Sequence, residues 1–173
     1  MTFKKHWIKP AALILLCGVI AAIMMLSSQP YKAQTIQPLL LRTLPYDTAE
    51  RLLPAVSIRY DGHAYRRDVN PYGMIEFLFR KGAHMFVYGA LAAAAALALR
   101  QLRLRPAAAA GLALLVVLAV ATIDEWNQRY SQARTPAYQD VLVDLAGGAL
   151  SLTLCFAVSA LYRRLTDART SSA

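Results

Sequence analysis

Four stretches of the chain are uncharged, apolar and of one length, and no other feature restricts its fold so strongly. Lys9 and Ser28 bracket PAALILLCGVIAAIMMLS, and Arg105 and Asp124 bracket PAAAAGLALLVVLAVATI. Asp144 and Arg163 bracket LAGGALSLTLCFAVSALY, and Lys81 and Arg100 bracket a run interrupted only by His84. In each case the polar brackets are 19 residues apart. As a helix, each run would be roughly 28 Å long, close to the ~30 Å hydrocarbon core of a bilayer. A soluble bundle would carry polar stripes at helical period, whereas these runs are apolar all round. The sequence predicts an all-α membrane protein, a four-transmembrane-helix bundle with helices at about 10–27, 71–99, 106–128 and 141–162.

Charge sets the expected orientation. Segments 1–9, 100–105 and 163–173 hold nine of the 19 basic residues and one acid, Asp167, a balance of +8. The opposite side holds the other ten basic residues and nine acids, a balance of +1. The positive-inside rule places both termini and the 100–105 loop in the cytoplasm of a multi-pass cell-membrane protein. The net charge of +9 is thus a topology signal, and no nucleic-acid partner is expected. The first span has the basic start and apolar run of a signal peptide, but no small-x-small pattern follows Leu26, so a retained helix is expected. Ile14 and Leu16 make Cys17 a poor lipidation site. Cys17 and Cys155 lie inside apolar runs without a CxxC partner, which argues against a disulfide framework or a zinc knuckle.

Residues 28–70 form a long external loop. Asp47-Thr-Ala-Glu50 reads as a capping-box-like start to a short helix that Pro54 ends. Ser57–Tyr60 and His63–Arg66 flank Asp61-Gly62, the pair a two-residue hairpin turn wants. In that register Ile58, Tyr60, His63 and Tyr65 share one face, an amphipathic split suited to lying on helix ends or lipid headgroups. Asn70-Pro71 reads as the cap and first position of a long second helix. The linker 124–140 is the other external loop.

The polar residues of the spans gather on the external side. Lys81, His84 and Tyr88 follow one another at i, i+3 and i+7 on one helix face. Asp124 and Gln128 share a face if the third helix continues past the membrane edge, with Glu125 adjacent. Asp140 and Asp144 stand four apart at the mouth of the fourth helix, with Gly147-Gly148 one turn deeper as candidates for close helix packing. Arg134 lies in the linker. Ionisable groups at or below the membrane interface are expensive and usually paired or functional, so one shared polar pocket is expected. Its cations, Lys81 and Arg134, suit a carboxylate, phosphate or pyrophosphate. One deep histidine is too few for a persuasive metal site, so no metal and no cofactor are expected. His84 beside Asp124 or Glu125 could act as a general base oriented by a carboxylate, although no serine or cysteine sits where a nucleophile would.

This ordered set resembles the VanZ-like family. The resemblance rests on Ser27-Ser28-Gln29, Arg80-Lys81-x-x-His84-x-x-x-Tyr88, Asp124-Glu125-x-x-Gln128-x-Tyr130-x-x-x-Arg134, and Asp140-x-x-x-Asp144-x-x-Gly147. It spans nearly the whole chain as one domain, 1–173, and the stretch from Ser57 to Glu76 resembles the longer-looped members of Gram-positive bacteria. At Asp144 the family commonly has asparagine. The resemblance implies low-level resistance to the glycopeptide teicoplanin, but no reaction. The expected ligand-binding residues are Ser28, Gln29, Lys81, His84, Tyr88, Asp124, Glu125, Gln128, Arg134, Asp140 and Asp144. Two functions follow. One is an envelope protein in the lipid bilayer that binds an anionic cell-surface or lipid-linked ligand. The other is a membrane enzyme acting on an envelope glycan or lipid intermediate, with His84, Asp124 and Glu125 as catalytic candidates.

Overall fold

The computed structural model describes residues 3–128 and 137–171, with side chains placed at 10–30, 32–128 and 137–167. Four helices long and apolar enough to cross a membrane dominate it: α1 (Phe3–Ser27), α5 (Pro71–Arg100), α6 (Pro106–Gln128) and α7 (Tyr138–Ser171). Between α1 and α5 lie three short helices, α2 (Tyr31–Gln34), α3 (Gln37–Thr43) and α4 (Tyr46–Arg51), and a hairpin of β1 (Ser57–Tyr60) and β2 (His63–Arg66).

Large apolar side chains are exposed on all four long helices, among them Ile14, Phe86, Leu115 and Val158. Ringing the bundle in this way, they need a hydrocarbon solvent rather than water. The chain is an all-α membrane protein.

Local chemistry explains where the helices begin. The Asn70 side chain accepts the Gly73 N–H at 2.9 Å, and Pro71 occupies the first turn, where its missing donor costs nothing. At the other end of α5, Gln101 N–H bonds Ala98 and Arg103 takes a left-handed conformation (φ 59°) before α6 begins at Pro106. This short connection makes α5 and α6 antiparallel, so α7, after a second reversal, runs parallel to α5.

The parallel pair sets the geometry of everything above it. Lys81 meets Asp140, His84 meets Asp144, and Gly89 meets Gly147, offsets of 59, 60 and 58 residues. The closest approach is at Gly147, where an added Cβ would stand 2.6 Å from the Met85 Cα. Gly148 faces only side chains, Ala92, Leu114 and Val117, each 3.4 Å from a hypothetical Cβ. Below them Leu91, Ala92, Ala95, Ala113, Val117 and Ala121 form a close-packed interior.

The segment between α1 and α5 differs from expectation in three respects. Residues 31–43 contain two helices where loop was expected: α2 is a single turn, and the N-cap of α3, Ile36, makes no side-chain bond, so α3 is marked only by Pro38 in its first turn and the leucines after it. Helix α4 starts two residues earlier than a cap at Asp47 would place it, with Pro45 at the N-cap and no side-chain bond, so Asp47 lies inside the first turn, where it complements the helix dipole. The hairpin has the expected register, Ser57↔Arg66 to Tyr60↔His63, with Asp61 (φ 47°) and Gly62 (φ 73°) both left-handed as a primed turn requires. Its inner face is Ile58, Tyr60 and Tyr65. His63 is exposed, its Nδ1 within 2.8 Å of the Asp61 carbonyl, so the ring is tied to the turn.

Candidate functional site

Phe77, Lys81, His84 and Tyr88 form one stripe on α5, turned toward the first two turns of α7 and the last two of α6. Because α5 and α7 run parallel, each step down α5 meets the next step down α7, and the first two polar rungs pair across that interface, while the third crosses from α5 to α6. The outermost rung joins Lys81 Nζ to Asp140 Oδ1. The Tyr60 hydroxyl donates to the same oxygen, and Lys81 Nζ lies 4.2 Å from the Tyr60 ring centre and 5.6 Å from that of Phe77. Tyr65 stacks on Phe77 with ring centres 4.1 Å apart, which holds the hairpin on this end of the bundle. Burial, and then the bond to Asp140, raise the Tyr60 pKa well above its ordinary value, so the phenol stays protonated and donates.

One turn deeper, His84 Nδ1 stands 3.1 Å from Asp144 Oδ1. Asp144 has no exposed surface, and the His84 side chain is 21% exposed, so the imidazole connects a buried carboxylate to the outside. The third rung is Tyr88, whose hydroxyl donates to Asp124 Oδ2 at 3.1 Å. Gln128 Nε2 reaches the same oxygen and the Ser27 hydroxyl, both at 3.2 Å, tying α6 to the end of α1. Beside this set, Glu125 Oε2 accepts the Ala137 N–H at 3.0 Å, anchoring the start of α7 to α6. Among the described residues Asp124 Oδ1, Glu125 Oε1 and Asp144 Oδ2 are buried without a hydrogen-bond partner.

Two hollows flank the rungs. A cavity of about 300 Å³ between α1, α5 and α6 is lined by Ser27, Gln29, Arg80, His84, Tyr88, Asp124 and Gln128 on its polar side. Ile23, Leu26, Ile36, Phe79, Ala83 and Val87 form its apolar side. A groove of about 460 Å³ lies under the hairpin, lined by Tyr60, Tyr65, Arg66, Phe77, Lys81 and Asp140 among others. Arg80 and Gln128 line both.

Ten of the eleven residues expected to bind ligand can be placed. Lys81, His84, Tyr88, Asp124, Gln128, Asp140 and Asp144 come together in the rungs, Glu125 stands beside them, and Gln29 joins through the cavity wall. Ser28 does not join: it is exposed and donates to its own helix at the Met25 carbonyl, while the buried Ser27 takes the inward position. The pairing of His84 also differs from expectation. Its partner is Asp144 rather than Asp124 or Glu125, since Tyr88 and Gln128 occupy Asp124 Oδ2 and a backbone N–H occupies Glu125 Oε2. Arg134 lies outside the described residues. Two further residues join this end of the bundle without having been expected there: Tyr60, one hairpin residue among several in the sequence, and Glu76, which is buried and accepts from Thr35 Oγ1 at 3.1 Å. For Tyr60 the available signal was its place on the inner hairpin face; Glu76 gave none. Among the described residues, no three His, Cys, Asp or Glu side chains converge as a metal-binding group.

What the arrangement can do follows from its chemistry. It offers cationic and hydrogen-bonding groups at the mouth, a histidine oriented by a buried acid, and apolar surface beside both. No curated protein and no solved structure matches the chain. Residues 12–160, which include every residue of the three rungs, match the VanZ/LLP1 family, and the chain belongs to that family.

Proposed function

We propose that this is a cell-envelope membrane protein that binds an anionic cell-surface or lipid-linked ligand at the hairpin end of the bundle, and thereby contributes to low-level teicoplanin resistance. Both termini lie in the cytoplasm and the hairpin end lies outside, an orientation supported by the +8 against +1 division of charge. The observation that carries the binding reading is the gathering of the spans' ionisable groups at one end, beside two hollows that share Arg80. Within that gathering Asp140 meets Lys81 and Tyr60, Asp144 meets His84, and Asp124 meets Tyr88 and Gln128. A guanidinium, with five fixed donors, matches carboxylate and phosphate oxygens two at a time.

The His84–Asp144 pair favours a second reading, a membrane-embedded enzyme modifying an envelope glycan or lipid intermediate. A histidine held at Nδ1 by a carboxylate is the arrangement of an oriented general base. One comparison separates the two. In a host whose teicoplanin susceptibility falls when the protein is expressed, His84→Gln, Glu125→Gln and Arg134→Lys are assayed at equal membrane abundance. Binding through several contacts gives graded losses, since a single hydrogen bond is worth roughly 0.5–1.5 kcal/mol and a charged one roughly 1.5–3. General acid–base work contributes roughly 10²–10⁴-fold, so complete loss in His84→Gln with Arg134→Lys near normal would replace the binding reading by the enzyme.

A further inference from the structure

The segment between α1 and α5 runs along the edge of the bundle's apolar belt, and its contacts fix its height. Exposed Leu78 and Phe79 mark the last apolar turn of α5 at the hairpin end, and exposed Met25 and Leu26 mark that of α1. The Gln34 side chain donates to the Leu26 carbonyl, so α2 folds back onto the end of α1. Thr35 Oγ1 donates to Glu76 at 3.1 Å, and beyond the far end of α3 the Leu44 carbonyl accepts from Tyr72 at 2.8 Å. Glu76 and Tyr72 stand two and six residues past Leu78, so α3 climbs from about 3 Å to about 9 Å beyond the apolar belt. One headgroup layer is roughly 5–7.5 Å thick, half the difference between a ~30 Å hydrocarbon core and a ~40–45 Å membrane. Helix α3 lies at that height.

There the segment is leucine-rich and basic. Leu39 is 61% and Leu41 62% exposed, on either side of the half-buried Leu40. Residues 31–44 carry two basic side chains, Lys32 and Arg42, and no acid. Both are exposed, and among the described residues neither is in an ion pair. Water is a poor solvent for the leucines, and a protein partner would have to reach them beside Met25 and Leu26, where lipid already lies. The hairpin does not compete for this place, because Tyr65 stacks on Phe77 and turns its inner face onto the helix ends.

We propose that α2 and α3 form an interfacial anchor whose partner is the headgroup layer of the surrounding leaflet, with a preference for anionic lipid. Leu39 and Leu41 enter the boundary between headgroups and acyl chains, and Lys32 and Arg42 meet lipid phosphates. Such a segment is held by apolar burial together with attraction to anionic lipid, and near an anionic surface each basic residue is worth roughly fivefold in association. Thr35 and Ile36 join the anchor to Glu76 and to the apolar wall of the cavity between α1, α5 and α6, so lipid contact at α3 also steadies that wall.

The test uses the full-length protein carrying Trp7→Phe and Trp126→Phe, with one tryptophan introduced by Leu39→Trp or Leu41→Trp, or by Ala64→Trp on the outer hairpin face as a reference. Each variant is reconstituted in mixed phosphatidylcholine and phosphatidylglycerol vesicles in which one lipid at a time carries bromine on its acyl chain close to the ester. Bromine quenches tryptophan on contact, so quenching reports which lipid lies beside the residue. Emission from positions 39 and 41 is expected to be blue-shifted relative to position 64, and brominated lipid is expected to quench the first two and not the third. Phosphatidylglycerol is expected to occupy the site at least about threefold more strongly than phosphatidylcholine. Lys32→Gln combined with Arg42→Gln is expected to abolish that preference while leaving quenching by phosphatidylcholine in place, which a misfolded segment would not do. Absence of quenching by either lipid would overturn the anchor, a blue shift without quenching assigning the leucines to a second copy of the chain and an unshifted spectrum assigning them to water. Equal quenching by the two lipids with Lys32 and Arg42 intact would overturn the choice of an anionic partner.

Discussion

The α5–α7 contact gives the sharpest quantitative prediction, because two adjacent glycines sit in different surroundings. In Gly147→Ala the new methyl carbon would lie 2.6 Å from Met85 Cα and 2.8 Å from its carbonyl carbon. Both atoms belong to helix backbone and cannot rotate aside. Carbon atoms rest at about 3.5–4.0 Å, so α7 would have to retreat by about 1 Å. Overpacking a close-fitted interior costs roughly 1–3 kcal/mol, and here the upper half of that range is expected. The retreat would also stretch the His84–Asp144 and Lys81–Asp140 rungs on the same interface. In Gly148→Ala the methyl would meet only side chains, at 3.4 Å, and helix propensity favours alanine, so the change is expected to be neutral or stabilising by up to about 1 kcal/mol. Reversible unfolding in mixed micelles, with both variants measured against the parent, supplies the comparison. Equal stability of the two variants would refute the close parallel packing from which the site geometry is built.

Two other outcomes are expected. In a background free of Cys17 and Cys155, a cysteine at Ala64 in the hairpin should react with an impermeant maleimide on intact cells, and one at Leu102 should not. Labelling at Leu102 would reverse the orientation. Asn70→Ala removes the side-chain acceptor for the Gly73 N–H and should destabilise the protein by about 1 kcal/mol, read in the same unfolding assay, whereas Asn70→Asp should be nearly silent.

The spans and most of the rung residues were legible in the sequence because bilayer thickness and helical period leave one-dimensional marks. Nineteen residues between polar brackets records a thickness, and i, i+3, i+7 records a face. The Asn70-Pro71 start of α5 and the Asp61-Gly62 turn were legible for a similar reason, since each depends on neighbours in the chain. Partner choice was not. His84 could be seen to need a carboxylate, but selecting Asp144 over Asp124 depends on α5 and α7 being parallel and in register, which no local pattern records. The choice of Ser27 over Ser28 depends likewise on the rotation of α1 against α6. Helix α2 escaped because it is a single turn, and α3 because its N-cap, Ile36, has no side chain that can cap.

The central claim is that α5 and α7 assemble the site rung by rung, and a double-mutant cycle on His84 and Asp144 tests it most directly. His84→Ala, Asp144→Ala and the double variant would be unfolded in the same micelles. Interhelical hydrogen bonds in membrane proteins average about 0.6 kcal/mol in such cycles, with a maximum near 1.7. A fully buried carboxylate whose described partner is one histidine belongs at the upper end, so a coupling of about 1–1.7 kcal/mol is expected, with His84→Ala costing far less once Asp144 is gone. Additive effects, within about 0.3–0.5 kcal/mol, would mean that the two side chains do not meet and would contradict the assembly of the site described here.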